Sequence, residues 1–260
     1  MVNKNKIKEI VESLELKEGD IIIEIGPGHG ELTEEIIEKF KYLNIKKCKV
    51  IAIEKDEELA KDLKNKFAEN KNVEILEGDA LKILPDLNSK FQIPNSKFKL
   101  VGNIPYYITG FLFRVLESLD NKPGFSVFMV QKEVAERICA KPPKMNILSA
   151  SAQFWATPEI IAYAPKKDFD PVPEVDSAVI KMTTNKQQPA AEEKNRYYGF
   201  VKIIFKQPRK TILNNLRQIT GDQQLIKSKL ESLKINAADR PQNLSLEQLS
   251  RLSGVFSDIL

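Results

Sequence analysis

Gly26, Gly28 and Gly30 punctuate the stretch I-I-I-E-I-G-P-G-H-G-E-L-T at residues 21–33. A β-branched apolar run ends there in a glycine-rich turn. An amphipathic pattern carrying Leu32, Ile36, Ile37 and Phe40 follows. This reads as strand, tight turn and helix. Glycines let a backbone turn sharply and come close to a ligand. The unpaired N–H groups of a helix start then face that ligand. A dinucleotide pattern wants Gly-x-Gly-x-x-Gly. Its third glycine position here is Glu31, whose carboxylate would repel a pyrophosphate. Glu24, just before the turn, adds a second carboxylate able to accept from a ligand amine. The expected ligand carries an amine or a cation and no phosphate. The plainer reading is a glycine turn with no ligand.

Three further stretches end apolar runs and can share a site with this turn, because ligands of open parallel sheets bind beyond the carboxyl ends of the strands. Glu54 ends V-I-A-I-E. An acid about twenty residues past a glycine turn can accept from both hydroxyls of a ribose. Asp79 and Ala80 follow the run at 73–76. The Asp79 side chain can accept the exocyclic amine of an adenine while a backbone N–H donates to a ring nitrogen. S-adenosylmethionine has the chemistry that all three stretches ask for. Asn103, Ile104, Pro105 and Tyr106 close the run at 98–101 and point to a reaction. A nucleobase amine is a poor nucleophile because its lone pair is delocalised into the ring. The Asn103 side-chain oxygen and a backbone carbonyl next to Pro105 can hold its two N–H groups. The lone pair is then aimed at a methyl group, and charge growing on nitrogen is stabilised. Tyr106 can stack on the base and Phe169 can close its other face. Such a base must leave its helix or come from a loop. No metal is needed, which suits a chain whose only histidine is His29. Plainer readings stand beside these: a strand end for Glu54, a turn for Asp79, a helix-starting turn at 103–106, core aromatics for Tyr107 and Phe169.

Positioning these groups requires strands alternating with helices, hence a mainly parallel sheet covered on both faces. Strands are expected at 21–25, 50–54, 73–76, 98–101, 125–130, 159–162 and 178–182. Helices are expected between them, one capped by Asp56 and one carrying Phe111, Leu112, Val115 and Leu116. A polar connector with Pro94 is expected over 88–96, and a stiff proline loop over 165–173. The polar stretch from Thr183 to Lys194 sets a boundary, giving domains at 1–184 and 185–260. Only helical patterns follow it, at 197–205, 210–219, 223–233 and 246–252, the last with a Ser245/Gln248 capping box.

The 260 residues carry a net charge of +4, with 42% apolar and 29% charged residues, an ordinary globular composition. The charge is uneven. From Lys186 onward 13 Lys and Arg stand against 7 Asp and Glu, whereas the preceding residues hold 27 against 29. A basic tail suggests a polyanionic partner, with Lys206, Arg209, Lys210 and Arg217 as its contact residues. A solvated lysine-rich surface is the bland alternative. Two cysteines, Cys48 and Cys139, exclude a disulfide scaffold and suit a reduced cytoplasmic protein. No apolar run reaches the length of a membrane span.

Asn-Ile-Pro-Tyr at 103–106 after Glu-Ile-Gly-Pro-Gly at 24–28 resembles the rRNA adenine N6,N6-dimethyltransferases, a family of Rossmann-like class I methyltransferases. Further stretches resemble its KsgA-type branch, which acts in ribosome assembly: Gln131-Lys132-Glu133-Val134, the run from Phe169 to Val179, Phe205 to Ile212, and Arg240-Pro241-x-x-Leu244-Ser245-Leu246-Glu247. The resemblance covers nearly the whole chain. It implies an α/β methyltransferase sheet with a small all-helical C-terminal domain. It also implies binding of S-adenosylmethionine at Gly26, Glu54, Asp79 and Asn103, with Asn103 also facing the adenine. Transfer to adenosines of small-subunit rRNA, by a monomer docking on a pre-ribosomal particle through its tail, follows as the expectation. Rival expectations are an Erm-type enzyme of large-subunit rRNA and a non-catalytic RNA-binding factor on the same fold. The family's Gln-Asn/His-Phe-Leu stretch before the first helix, which helps bind the cofactor, has no match in Val2-Asn3-Lys4-Asn5. Weak cofactor binding by these residues is the corresponding expectation.

Overall fold

The structure, a computed structural model, describes residues 3–87 and 98–257, the Tyr106 side chain excepted. The connector expected over 88–96 lies outside the described residues. Seven strands form one sheet: β1 (Ile21–Ile25), β2 (Lys49–Glu54), β3 (Val73–Glu77), β4 (Phe98–Asn103), β5 (Phe125–Gln131), β6 (Ala156–Ala164) and β7 (Ser177–Thr184). Their order is β3-β2-β1-β4-β5-β7-β6. β1–β2, β1–β4, β2–β3 and β4–β5 are parallel pairs, and β7 runs antiparallel to β5. Strand order therefore reverses between β1 and β4, the point at which such sheets leave a crevice for a ligand.

The central strands are predominantly apolar because both faces are covered, with Glu24 in β1 and Lys99 in β4 as interruptions. Ile22, Ile23, Val50, Ile51, Leu100, Val101, Val127 and Phe128 are fully buried. Helices α1 (Lys4–Ser13), α2 (Glu31–Tyr42) and α3 (Glu57–Lys66) belong to this part of the chain, as do the short α4 (Ala80–Ile83), then α5 (Thr109–Ser118) and α6 (Lys132–Ile138). Asp56 caps α3 by accepting from the N–H groups of Glu58 and Leu59. Lys99 is the one charged residue within β4. Its buried Nζ donates to the carbonyls of Leu14 and Glu15 and pairs with Asp20 at 2.6 Å. A buried charge is tolerable when its donors are satisfied in this way. β6 is longer than the run 159–162 because it takes in Pro158 at the end of the sheet order, where no ladder bond is forfeited.

The chain splits into two compact units, residues 1–135 with 158–184 and residues 136–157 with 185–260. The sequence boundary at 184/185 does not foresee that 136–157 leaves the first segment. The second unit contains α7 (Ile147–Trp155), α8 (Ala191–Ile204), α9 (Ile212–Leu216), α10 (Gln223–Ser232) and α11 (Leu246–Val255). Its core joins Met145 and Ala150 to Tyr197, Phe200, Leu216, Leu230, Leu252 and Phe256. Tyr197 is fully buried, stacks on Phe154 with ring centroids 3.7 Å apart, and donates its hydroxyl hydrogen to the Ala150 carbonyl at 3.0 Å. These contacts draw residues 136–157 into the unit. Ser245 and Gln248 form the expected capping box of α11.

Gly102 decides how closely β1 and β4 approach. A Cβ there would lie 2.5 Å from the Ile25 carbonyl oxygen and 3.0 Å from Ile104 Cδ1. Backbone cannot yield as a flexible side chain does. Gly102→Ala should cost about 1–3 kcal/mol of stability, the usual penalty for overpacking. Thermal unfolding checks this, and an unchanged midpoint would show that the two strands can part.

Candidate active site

The registers place all four motif-bearing strand ends on one edge of the sheet. Ile25 is level with Ile53 and with Gly102, and Glu54 is level with Glu77. Gly26, Glu54 and Asn103 therefore come one step further along, and Asp79 two residues past Glu77. Backbone bonds continue the alignment beyond the strands: Gly26 N–H to Ile53 O, Gly78 N–H to Glu54 O, and Ile104 N–H to Met129 O at 3.0, 2.7 and 3.0 Å. A Cβ on Gly26 would sit 4.0 Å from the Asn103 carbonyl oxygen, so the first and fourth motifs adjoin.

The glycine turn is shaped by positive φ angles of +65° at Gly26, +60° at Gly28 and +86° at Gly30. Gly30 is constrained twice, since a Cβ there would also meet Leu63 Cδ2 at 2.9 Å. It stands at the N-cap of α2 and offers no capping side chain. Glu54 holds the turn from the neighbouring strand. Its Oε2 accepts from Gly28 N–H at 3.1 Å, and Oε1 accepts from the N–H groups of Lys55 and Asp56. Asp79 caps α4 by accepting from Leu81 N–H at 3.0 Å, with Lys55 Nζ at 3.6 Å from its other oxygen. Ala80, just beyond, is buried.

Glu24 differs from the sequence reading. It is 1% exposed and accepts from the Thr33 hydroxyl at 2.6 Å, tying β1 to α2, so its carboxyl is not open to a ligand amine. A strand covered on both faces leaves no side to solvent. Desolvation pushes its pKa from 4.5 up to about 7, with the charges of Glu31 and Glu54 adding to the rise and the Thr33 bond opposing it.

On β4, Asn103 is exposed, and among the described residues nothing hydrogen-bonds its side chain. The Pro105 carbonyl already accepts from Ile108 N–H at 3.1 Å and Thr109 Oγ1 at 3.3 Å. Of the carbonyls beside Pro105, that of Ile104 is the one the turn leaves available. The Tyr106 side chain lies outside the described residues. Phe169 is partly buried and packs on the first unit's core. Tyr107 is 73% exposed, so it is not a core aromatic. In the second unit Lys206, Arg209 and Lys210 are exposed on the loop between α8 and α9, and Arg217 at the C-cap of α9 is exposed too. None of the four pairs with a carboxylate among the described residues. Asn215, buried, fixes that loop by donating to the carbonyls of Gln207, Lys210 and Thr211. Sequence reasoning overlooked Asn215 and Gly102, for which only an unexplained polar residue in a helix and a glycine in a strand were available as signals.

Glu54 holds the glycine turn, Asp79 follows the end of the neighbouring strand, and two acceptors sit on the adjacent strand end. The fold and this edge define a Rossmann-like methyltransferase. Solved structures share the fold. The 23S rRNA methyltransferase ErmE superposes with a TM-score of 0.77 at 23% identity, covering 98% of each chain. A dimethyladenosine transferase from Plasmodium falciparum gives 0.75 at 24%, covering 96% of this chain and 94% of that one. The family model described as ribosomal RNA adenine dimethylase matches residues 1–258. Proteins named ribosomal RNA small subunit methyltransferase A are 38% identical in Mycoplasma mycoides, over 95% of this chain and 91% of that protein, and 36% identical in Streptococcus thermophilus, over 99% and 89%. The chain belongs to the ribosomal RNA adenine dimethylase family.

Because the folded pKa of Glu24 is raised, the folded chain binds more protons than the unfolded one between pH 4.5 and about 7. The stability this group confers is thus full below that window and falls as pH rises through it. Glu24→Gln, which can still accept from Thr33, should remove this slope and be more stable than wild type at pH 8, by on the order of 1–3 kcal/mol. Denaturant melts at pH 5 and pH 8 decide it; parallel pH profiles for the two proteins would refute the assignment.

Proposed function

We propose that this chain transfers methyl groups from S-adenosylmethionine to the N6 amines of adenosines in small-subunit rRNA. The observation that carries the reading is the common level of four strand ends, which brings the Asn103 and Ile104 acceptors beside the glycine turn. The residues fit the cofactor: Glu31, Glu54 and Asp79 disfavour phosphate around a turn whose glycine N–H groups are already taken by Ile53, Glu54 and Pro27. Glu54 would hold the ribose and Asp79 with Ala80 the adenine, while residues 26–30 close on the amino-acid part. Glu24 acts from within the sheet, bracing the turn through Thr33. When bound, S-adenosylmethionine supplies a methyl group made electrophilic by its sulfonium. Asn103 Oδ1 and the Ile104 carbonyl accept from the two N6 hydrogens of the target adenine and stabilise the positive charge that develops on nitrogen. Pro105 fixes the turn that spaces these acceptors. Tyr106 and Phe169 are proposed to sandwich the base.

Asn103→Ala should lower turnover roughly a hundredfold or more, as loss of one preorganised transition-state partner does, with RNA binding nearly unchanged. Single-turnover transfer of labelled methyl groups measures this, and wild-type turnover in the variant would remove Asn103 from the reaction. Incorporation into isolated small-subunit rather than large-subunit particles separates this reading from an Erm-type one. The names of relatives at 36–38% identity favour the small subunit.

Docking on the pre-ribosomal particle is assigned to the basic loop of the second unit, with the protein acting as a monomer in the cytoplasm. Phosphate contacts release counterions, so affinity falls by about 0.7–0.9 log units per contact per decade of salt. Arg209→Ala with Lys210→Ala should weaken particle binding and flatten the salt slope by one to two contacts. Cofactor affinity should be unchanged, because every proposed cofactor residue lies in the first unit. A variant that melts earlier yet keeps the wild-type slope would make these residues structural.

A further inference from the structure

Helix α5 begins four residues after Pro105, and its buried positions are Thr109, Leu112, Phe113 and Leu116. The spacing of these four, at i, i+3, i+4 and i+7, makes one face. Phe111 and Arg114 lie off that face, and Tyr107 lies in the 3-10 turn Tyr106–Ile108 that leads into the helix; all three are exposed, Phe111 at 55% and Tyr107 at 73%. Phe111 and Arg114 are ordered by their own chemistry. The Arg114 guanidinium lies 4.6 Å from the Phe111 ring centroid, and its Nε donates to the Gly110 carbonyl at 3.3 Å. Among the described residues no carboxylate pairs with Arg114. Single exposed apolar residues need no explanation. Two exposed aromatic rings and an unneutralised guanidinium, on the turn and helix that follow Asn103, do need one.

We propose that Tyr107, Phe111 and Arg114 form a stacking platform for the unpaired nucleotides that flank the target adenosine. The proposal rests on the RNA substrate argued above and adds the surface that receives its neighbouring bases. A base drawn out of its stack leaves its neighbours without a stacking partner. Flat rings and a guanidinium plane replace that partner for any base, because every base presents a π-face. The positive charge on Arg114 suits the adjoining phosphate. Exposed rings beside an unpaired guanidinium match single-stranded RNA and give an apolar protein surface little to bury.

The test measures binding of the full chain, without methyl donor, to an RNA hairpin whose loop carries unpaired adenosines and to a fully paired duplex of the same length. Phe111→Ala should weaken hairpin binding about tenfold or more, within the range found when a stacking side chain is truncated. Duplex binding should be unaffected, the melting temperature should hold because the side chain is exposed, and Phe111→Trp should retain wild-type affinity. The proposal is overturned if Phe111→Ala binds the hairpin as wild type does, if it loses hairpin and duplex alike, or if Phe111→Trp fails as badly as Phe111→Ala. It is also overturned if wild type shows no preference for the hairpin. A defect seen only with intact small-subunit particles would assign the face to a ribosomal protein instead. Wild type that binds the hairpin but never methylates rRNA would defeat the proposed reaction and leave the platform standing.

Discussion

The close approach of β1 to β4 is the constraint on which the site depends. Ile25 and Gly102 are neighbours in register, and the space for a Cβ at Gly102 is already filled by the Ile25 carbonyl. With β1 and β4 this close, the glycine turn and the Asn103 turn emerge side by side. A cofactor held by one is then within reach of a base held by the other. Neither turn needs long side chains to reach across, and the acceptors can be short: one amide oxygen and one backbone carbonyl. Positioning of that kind is rigid because it is built from strand ends and not from loops.

Electrostatics divide the chain's labour. The carboxylates around the glycine turn are also structural acceptors: Glu54 for three backbone N–H groups, Asp79 for a helix start, Glu24 for Thr33. Their geometry is therefore set before any ligand arrives. The cost is borne mostly by Glu24, which is desolvated among like charges. Cationic groups that could meet RNA are held elsewhere, on a loop whose shape is imposed by the buried amide of Asn215.

The sheet was largely legible in the sequence because β1, β2, β4 and β5 are covered on both faces and read as predominantly apolar runs. β2, β4 and β5 end in Glu54, Asn103 and Gln131, and β1 is followed by Gly26, residue types that a strand interior disfavours. What was not legible depends on tertiary partners. Phe111 reads as part of an apolar stripe beside Leu112, yet the buried set at 109, 112, 113 and 116 leaves it on the opposite side of the helix. Glu24 reads as a ligand acceptor until burial gives it to Thr33. Lys99 looks foreign to a core strand until two distant carbonyls and Asp20 are brought to it. The edge strand β6 blurs because its residues are only half covered and include a proline. The candidate site was the most legible part, since its residues lie at strand ends, where local sequence and position in the sheet coincide.

The division of the chain into units that are not contiguous has a bearing on how it is made. Residues 136–157 emerge from a ribosome well before residues 185–257, yet Ala150 and Phe154 have their buried partner in Tyr197. During synthesis this segment, with the apolar side of α7, must wait some forty or more residues for its core, at about 5–20 residues per second. In that interval β6 and β7 are also being delivered to the sheet, with the chain passing out of the first unit and back into it. A nascent chain paused between residues 157 and 197 would carry α7 with its apolar side still uncovered, a natural point for a chaperone to engage it.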